Sequence, residues 1–176
     1  MSNEEKKCAD KVADAWASRR EDLEMMLDPQ PEYLTIEGRD AGSTDGSWGL
    51  SYGETSFEAD IEAEDLFDEH EDAIREAGRE AFNEYGLAFD YVAPYTFDDQ
   101  PAGYWRYQIS YGGPSEELRF YADADYEVRK IEFWYLDWFD GACVNVILDT
   151  VARMIWDEFN ECGTTRHVFK EAMIDE

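Results

Sequence analysis

Apolar and polar side chains alternate with a period of two along three stretches late in the chain. Trp105, Tyr107, Ile109 and Tyr111 interleave with Arg106, Gln108 and Ser110. Leu118, Phe120 and Ala122 interleave with Glu117, Arg119 and Tyr121, and Ile131, Phe133 and Tyr135 with Lys130, Glu132 and Trp134. Successive side chains of a strand point to opposite faces. The pattern therefore predicts a meander of three half-buried antiparallel strands between Tyr104 and Leu136. Gly112-Gly113-Pro114-Ser115 and Asp123-Ala124-Asp125 supply its turns. The aromatic run from Phe89 to Phe97 predicts a further strand, broken at Pro94. Two short strands are expected around Tyr33–Glu37 and Ser47–Tyr52, with the Gly-, Asp- and Ser-rich segment Arg39–Gly46 as the loop between them.

Elsewhere the period is helical. Ala9, Val12, Ala13, Trp16, Leu23 and Leu27 predict a helix over Asn3–Leu27, stopped by Asp28-Pro29-Gln30-Pro31. Leu66, His70, Ala73 or Ile74, Ala77, Ala81 and Tyr85 form a narrow, weakly apolar stripe over Ile61–Tyr85, with Gly86 at its end. Val144, Ile147, Leu148, Val151, Ile155 and Phe159, widened by Val146, Met154 and Trp156, predict a last long helix over Ala142–Glu161, buried against the sheet. Asp140 is expected to cap it, with Asp137-Trp138-Phe139-Asp140-Gly141 as the strand-to-helix corner and Trp138 and Phe139 in the core. Gly163 ends that helix, and a short terminal helix follows from Thr165. No repeat or linker interrupts the chain. The expected fold is a single α+β domain over residues 1–176. It has an antiparallel sheet of about four or five strands, including the meander, packed against long helices.

Charge adds a second constraint. The chain of 176 residues carries 43 Asp and Glu against 15 Lys and Arg, a formal net charge of −28, yet 44% of it is hydrophobic and 15% aromatic. The charge alone would suggest disorder, and the apolar content argues for a folded core. Phosphates repel such a surface, which disfavours direct nucleic-acid binding and, equally, an anionic membrane; a basic partner is the complement. Three widely spaced cysteines, Cys8, Cys143 and Cys162, suggest neither a disulfide framework nor a zinc site. With no apolar signal core and no run of membrane-spanning length, the expectation is a soluble cytoplasmic protein.

The negative charge is unevenly placed. Residues 1–27 hold 7 acids and 5 bases, residues 28–104 hold 21 acids and 3 bases, and residues 105–176 hold 15 acids and 7 bases. Within the middle part, Glu58, Glu62, Asp65, Glu69, Asp72, Glu76, Glu80 and Glu84 follow one another at steps of three or four, widened by Glu64, Asp68 and Glu71. Such steps stack side chains along one side of a helix, where like charges destabilise it by a few tenths of a kcal/mol per pair. Residues 61–85 would span about 37 Å of helix. They hold 10 acids and 2 arginines. One DNA strand presents about 11 phosphates over that length. The carboxylates are therefore spaced to occupy a groove shaped for a nucleic-acid backbone, pairing with its Lys and Arg side chains. Asp98 and Asp99 are candidates to extend this face.

Catalytic chemistry finds little support. His70 and His167 are the two histidines, and neither has a local Ser-His-Asp or Cys-His arrangement. Gly112-Gly113-Pro114 reads as a hairpin turn rather than a phosphate loop, and Asp40–Ser51 ends on serine where a calcium loop needs glutamate. The pairs Asp123/Asp125 and Asp137/Asp140 are better explained by turns and caps, Cys143 by packing in the last helix, and Cys8 and Cys162 as exposed thiols without activation. No catalytic residue, metal site or cofactor is expected.

In size, charge and folded acidic helix the chain resembles the acidic DNA-mimic proteins of phages and plasmids, which disable restriction enzymes, CRISPR complexes or other DNA-binding proteins. Tyr111-Gly112-Gly113-Pro114-Ser115-Glu116-Glu117 and Asp137-Trp138-Phe139-Asp140-Gly141-Ala142 are similar to segments of small mobile-element proteins. The resemblance implies a non-enzymatic inhibitor that blocks the nucleic-acid cleft of a basic protein or complex. Two other expectations fit the same charge. One is an acidic immunity protein or antitoxin that plugs a basic nuclease toxin; the other is salt adaptation with an unrelated function. The aromatic-rich sheet could also supply a homodimer interface.

Overall fold

The computed structural model describes residues 7–29, 35–37, 48–52, 55–59 and 66–174. Its elements run α1 (Cys8–Leu27), β1 (Thr35–Glu37), β2 (Trp48–Tyr52), β3 (Thr55–Ala59), α2 (Leu66–Tyr85), β4 (Ala88–Val92), β5 (Tyr104–Ser110), β6 (Ser115–Ala122), β7 (Val128–Asp137), β8 (Asp140–Asn145), α3 (Thr150–Glu161) and α4 (Thr164–Ala172). The fold is α+β. The loop expected over residues 39–46 lies outside the described residues. Contacts group the chain into two compact units, Met1–Arg19 with Gly86–Glu176, and Arg20–Tyr85, and the division falls inside α1.

The first unit is built on an open five-stranded antiparallel sheet in the order β4-β5-β6-β7-β8. Each strand pairs with the next in sequence, so short turns suffice to connect them. The alternation predicted for the meander sets one face of the sheet. Trp105 lies opposite Phe120 and Tyr107 opposite Leu118; Phe120 and Leu118 in turn face Ile131 and Phe133. All seven inward side chains, counting Ile109, are buried. α3 covers them with Val151, Ala152, Ile155 and Trp156. The Trp156 ring sits 5.4 Å from Trp105 and 5.5 Å from Phe120. Phe159 stacks on Phe89 at 3.9 Å, Phe169 of α4 meets Tyr91 edge-on at 4.8 Å, and Trp16 of α1 lies 5.3 Å from Phe133. The core is thus unusually aromatic, which gives large buried area per residue.

The segment after β7 departs from expectation. Asp137 pairs with Asp140 across a two-residue turn, and Asp140–Asn145 continues as an edge strand opposite Glu132–Asp137. α3 begins at Thr150, eight residues later than predicted, and its cap is Asp149, whose carboxylate accepts from the Val151 and Ala152 N–H groups. Ala142 and Val144 are half-buried while Cys143 and Asn145 are exposed. That is a period of two, which a short apolar run leaves indistinguishable from a helical one. Asp140 caps a different helix: its carboxylate accepts from the Cys8 N–H at 2.8 Å, at the start of α1. Cys8 is buried rather than exposed, and Cys143 is an exposed strand residue rather than a buried helical one. Trp138 and Phe139 are not core residues but stand at the hairpin tip, 89% and 102% exposed. Leu148, placed on the helix's apolar face by the sequence, is 89% exposed in the loop before Asp149.

The second unit holds the end of α1, the three-stranded antiparallel sheet β1-β2-β3 and α2. Strand β3 has no counterpart in the sequence pattern; it pairs with β2 from Tyr52↔Thr55 to Trp48↔Ala59. α2 is described from Leu66, and the predicted start at Ile61 lies outside the described residues. Its buried line is Ile74, which the predicted stripe included as an alternative to Ala73, with Gly78 and Phe82, which it did not include; Ala77, Ala81 and Tyr85 of that stripe are half-buried beside it. Gly78 sets this phase. A Cβ there would collide with the backbone carbonyl of Met26, so the absent side chain is what lets the two helices approach. Leu23 and Met26 of α1 are buried in the same unit, and the Tyr85 hydroxyl donates to Asp22 at 2.7 Å.

Candidate functional site

The helical phase of α2 decides where its acids go. With Ile74, Gly78 and Phe82 facing inward, Asp72, Glu76, Glu80 and Glu84 fall on the opposite side, and all four are exposed; Glu71 is exposed too, but lies two turns before Gly78 on the same side as the buried line. Glu71 pairs with Arg75 one turn on, at 2.7 Å. Steps of four residues advance about 6 Å along the axis and turn about 40° around it. The carboxylates of Asp72, Glu76, Glu80 and Glu84 therefore make a slowly winding stripe about 18 Å long. Glu69 also lies in α2.

The predicted row departs from the helix at its first member. Glu58 is not on the helix: it sits in β3, paired with Gly49 of β2. Glu62 and Asp65, with Glu64, lie outside the described residues. Over Leu66–Tyr85 the helix holds seven acids and two arginines. One DNA strand would present about nine phosphates in the same ~30 Å. Asp98 and Asp99 are exposed on the loop between β4 and β5, where Asp99 adopts a left-handed backbone at φ 62°. They belong to the first unit.

The first unit engages many of its cations internally. Arg19 reaches the buried Glu116 at 2.6 Å, Arg106 grips Asp90 through two nitrogens, and Arg129 holds Asp123. On the sheet face away from α3 and α4, Arg119 pairs with the buried Glu117 at 2.6 Å while lying over the rings of Trp134 and Tyr104, at 4.0 and 4.8 Å. Beside it, Lys130 covers Tyr121 and pairs with Glu132. Tyr121 and Trp134 both donate to Glu132 at 3.2 Å. Burial, and then the neighbouring Glu132 charge, push the Tyr121 phenol up to about 12, so it remains a donor throughout the neutral range. Alternation is the one sequence signal for this ladder, because its partners lie on three different strands.

The remaining candidates resolve into structural roles. Asp123 accepts from the N–H groups of Asp125 and Glu127 as well as from Arg129, and the Arg129 hydrogen bond foremost holds its carboxyl below the usual range. The Cys8 N–H does the same for Asp140, while burial pushes the Cys8 thiol up. His167 is exposed and faces Glu171 at 3.4 Å. Among the described residues no group of three His, Cys, Asp or Glu could hold a metal ion, and no helix is long and apolar enough to cross a membrane. No family model, curated protein or solved structure matches the chain.

Proposed function

We propose that this protein is a non-enzymatic, cytoplasmic inhibitor that occupies the nucleic-acid cleft of a basic protein, of the kind found in restriction and CRISPR defence complexes. The observation that carries the reading is the exposed stripe Asp72, Glu76, Glu80 and Glu84, held outward because Ile74, Gly78 and Phe82 point inward. A solvated helix face would gain from mixed signs at these spacings. Along the stripe every neighbour four residues on repeats the charge, a repulsion that Arg75 and Arg79, three residues on from Asp72 and Glu76, offset only in part. Carboxylates on a rigid element offer charge-assisted hydrogen bonds to Lys and Arg without the ordering cost of a flexible acidic tail. The net charge of −28 adds fast, salt-sensitive association with a basic target.

The test is capture from host lysate on immobilised protein over a salt series. The expected result is recovery of a DNA-binding protein or complex that is released as salt rises from about 0.1 to about 1 M, where screening shortens from ~10 to ~3 Å. Duplex DNA should displace it at low salt. Capture that survives high salt unchanged, or that excess duplex leaves in place, contradicts competition for a nucleic-acid cleft. A cognate nuclease toxin as the captured protein would move the reading to an immunity role.

A further inference from the structure

The hairpin joining β7 to β8 carries two aromatic side chains at its tip, Trp138 and Phe139, with relative exposures of 89% and 102%. Antiparallel order brings the β5–β6 turn to the same end of the sheet, since Ser110 pairs with Glu116 and Ser115 with Leu136. Tyr111, on that turn, is 82% exposed. The two turns touch: a Cβ on Gly113 would lie 3.5 Å from the Trp138 indole nitrogen. Three large rings therefore stand in solvent on adjoining turns, and among the described residues no cation or other ring lies over them.

Fold stability does not account for Trp138. Its φ is 52°, the left-handed region that favours glycine and that a bulky side chain enters only under strain. Glycine would suit the turn better, and the exposed indole returns little packing. Charge narrows what the rings could meet. Asp137 and Asp140 bracket them: Asp137 is paired with Lys11 at 3.8 Å, and Asp140 is held by backbone N–H groups of Cys8 and Gly141, which leave its negative charge in place. A second copy or an anionic lipid surface would have to approach a chain of net charge −28. The protein's own cations show what such rings accept: Arg119, Lys130, Arg166 and Lys11 each lie over an aromatic face, at 4.0 to 5.9 Å.

We propose that this end of the sheet, with Tyr111, Trp138 and Phe139 exposed between Asp137 and Asp140, is a docking site for an arginine-bearing segment of a basic protein partner. The inference rests on the inhibitor reading for the partner's basic character and adds a second contact surface to it. Guanidinium groups stack on ring faces more readily than ammonium groups do, while the Asp140 carboxylate, which has backbone N–H partners and keeps its charge, supplies the flanking anion. Exposed Trp and Tyr anchors are also the residues that dominate interface energies.

The test uses the whole protein and fluorescent nona-arginine and nona-lysine peptides as probes. Trp138→Gly with Phe139→Ala is expected to weaken nona-arginine binding about tenfold at 0.1 M salt, to erase the preference over nona-lysine, and to leave the salt dependence nearly unchanged. Its Tm should be equal to or above that of the wild type, so lost binding cannot be lost folding. Equal affinity of the variant and the wild type for nona-arginine overturns the proposal, as does wild-type self-association in sedimentation that the variant abolishes. Failure of the α2 reading would look different: Glu76→Lys with Glu84→Lys would then leave the salt dependence of peptide binding unaltered, whatever the tip variant does.

Discussion

Replacing Glu76 and Glu84 by lysine is expected to abolish partner binding while making the protein more stable. The two changes convert the exposed stripe of α2 from four like charges into alternating signs, acidic at 72 and 80 and basic at 76 and 84. All three of its i,i+4 contacts then change from repulsion to attraction. Two of them also have the favourable order, acid before base. The Arg79 guanidinium, three residues beyond position 76, opposes part of the gain. A net rise of about 1 kcal/mol in helix stability is the reasonable size. At the interface the sign is opposite. Two carboxylates that meet Lys or Arg become two cations in a basic cleft, and affinity should fall on the order of 100-fold or more, about 3 kcal/mol. Both side chains are exposed, so no packing changes. Urea melts and a titration against the captured complex measure the two signs separately. A variant that is stabilised and still inhibits would remove α2 from the interface.

Trp156→Ala should remove much of the first unit's margin of stability. The side chain is 2% exposed, wedged between Trp105 and Phe120, and its indole N–H donates to the Tyr126 carbonyl at 3.3 Å. Truncation opens a large cavity and takes away that carbonyl's indole donor. A loss of about 3–5 kcal/mol is expected, against a typical total of about 5–15 kcal/mol. The urea midpoint of the variant should drop sharply, whereas Phe139→Ala, at the exposed tip, should not move it. A midpoint unchanged in Trp156→Ala would mean that α3 does not close the sheet's helix-covered face.

The meander is legible because each of its strands buries one face only, so alternation in β5, β6 and β7 is written directly into the chain. The helix α1 and its stop at Pro29 are equally plain. Where pattern and structure part, the reasons are identifiable. Val144 to Leu148 is a short, largely apolar run, and such runs fit strand and helix alike; Gly141 and the β-branched Val144 are the strand signals beside it. Hydrophobicity assigns Trp138 and Phe139 to the core, a rule that says nothing about a turn tip where aromatics face solvent. Strand β3 carries little apolar content, and the Gly53-Glu54 pair between Tyr52 and Thr55 is its one sequence signal for a hairpin. The acidic row is exposed from Asp72 to Glu84 as its spacing predicts, but its extension back to Glu58 assumes a helix where the chain pairs as a strand. In the sequence Gly78 is only a weakness in that helix, whereas its contact with Met26 fixes which side of α2 is acidic and free.

Carboxylate footprinting of the captured complex asks whether the α2 stripe lies at the interface. Free and bound protein are treated with a carbodiimide and an amine, and the modification of each acid is read by mass spectrometry. Binding is expected to protect Asp72, Glu76, Glu80 and Glu84 strongly, while exposed acids far from any interface keep their labelling. Equal modification of those four side chains in free and bound protein would leave α2 outside the interface and overturn the proposed function.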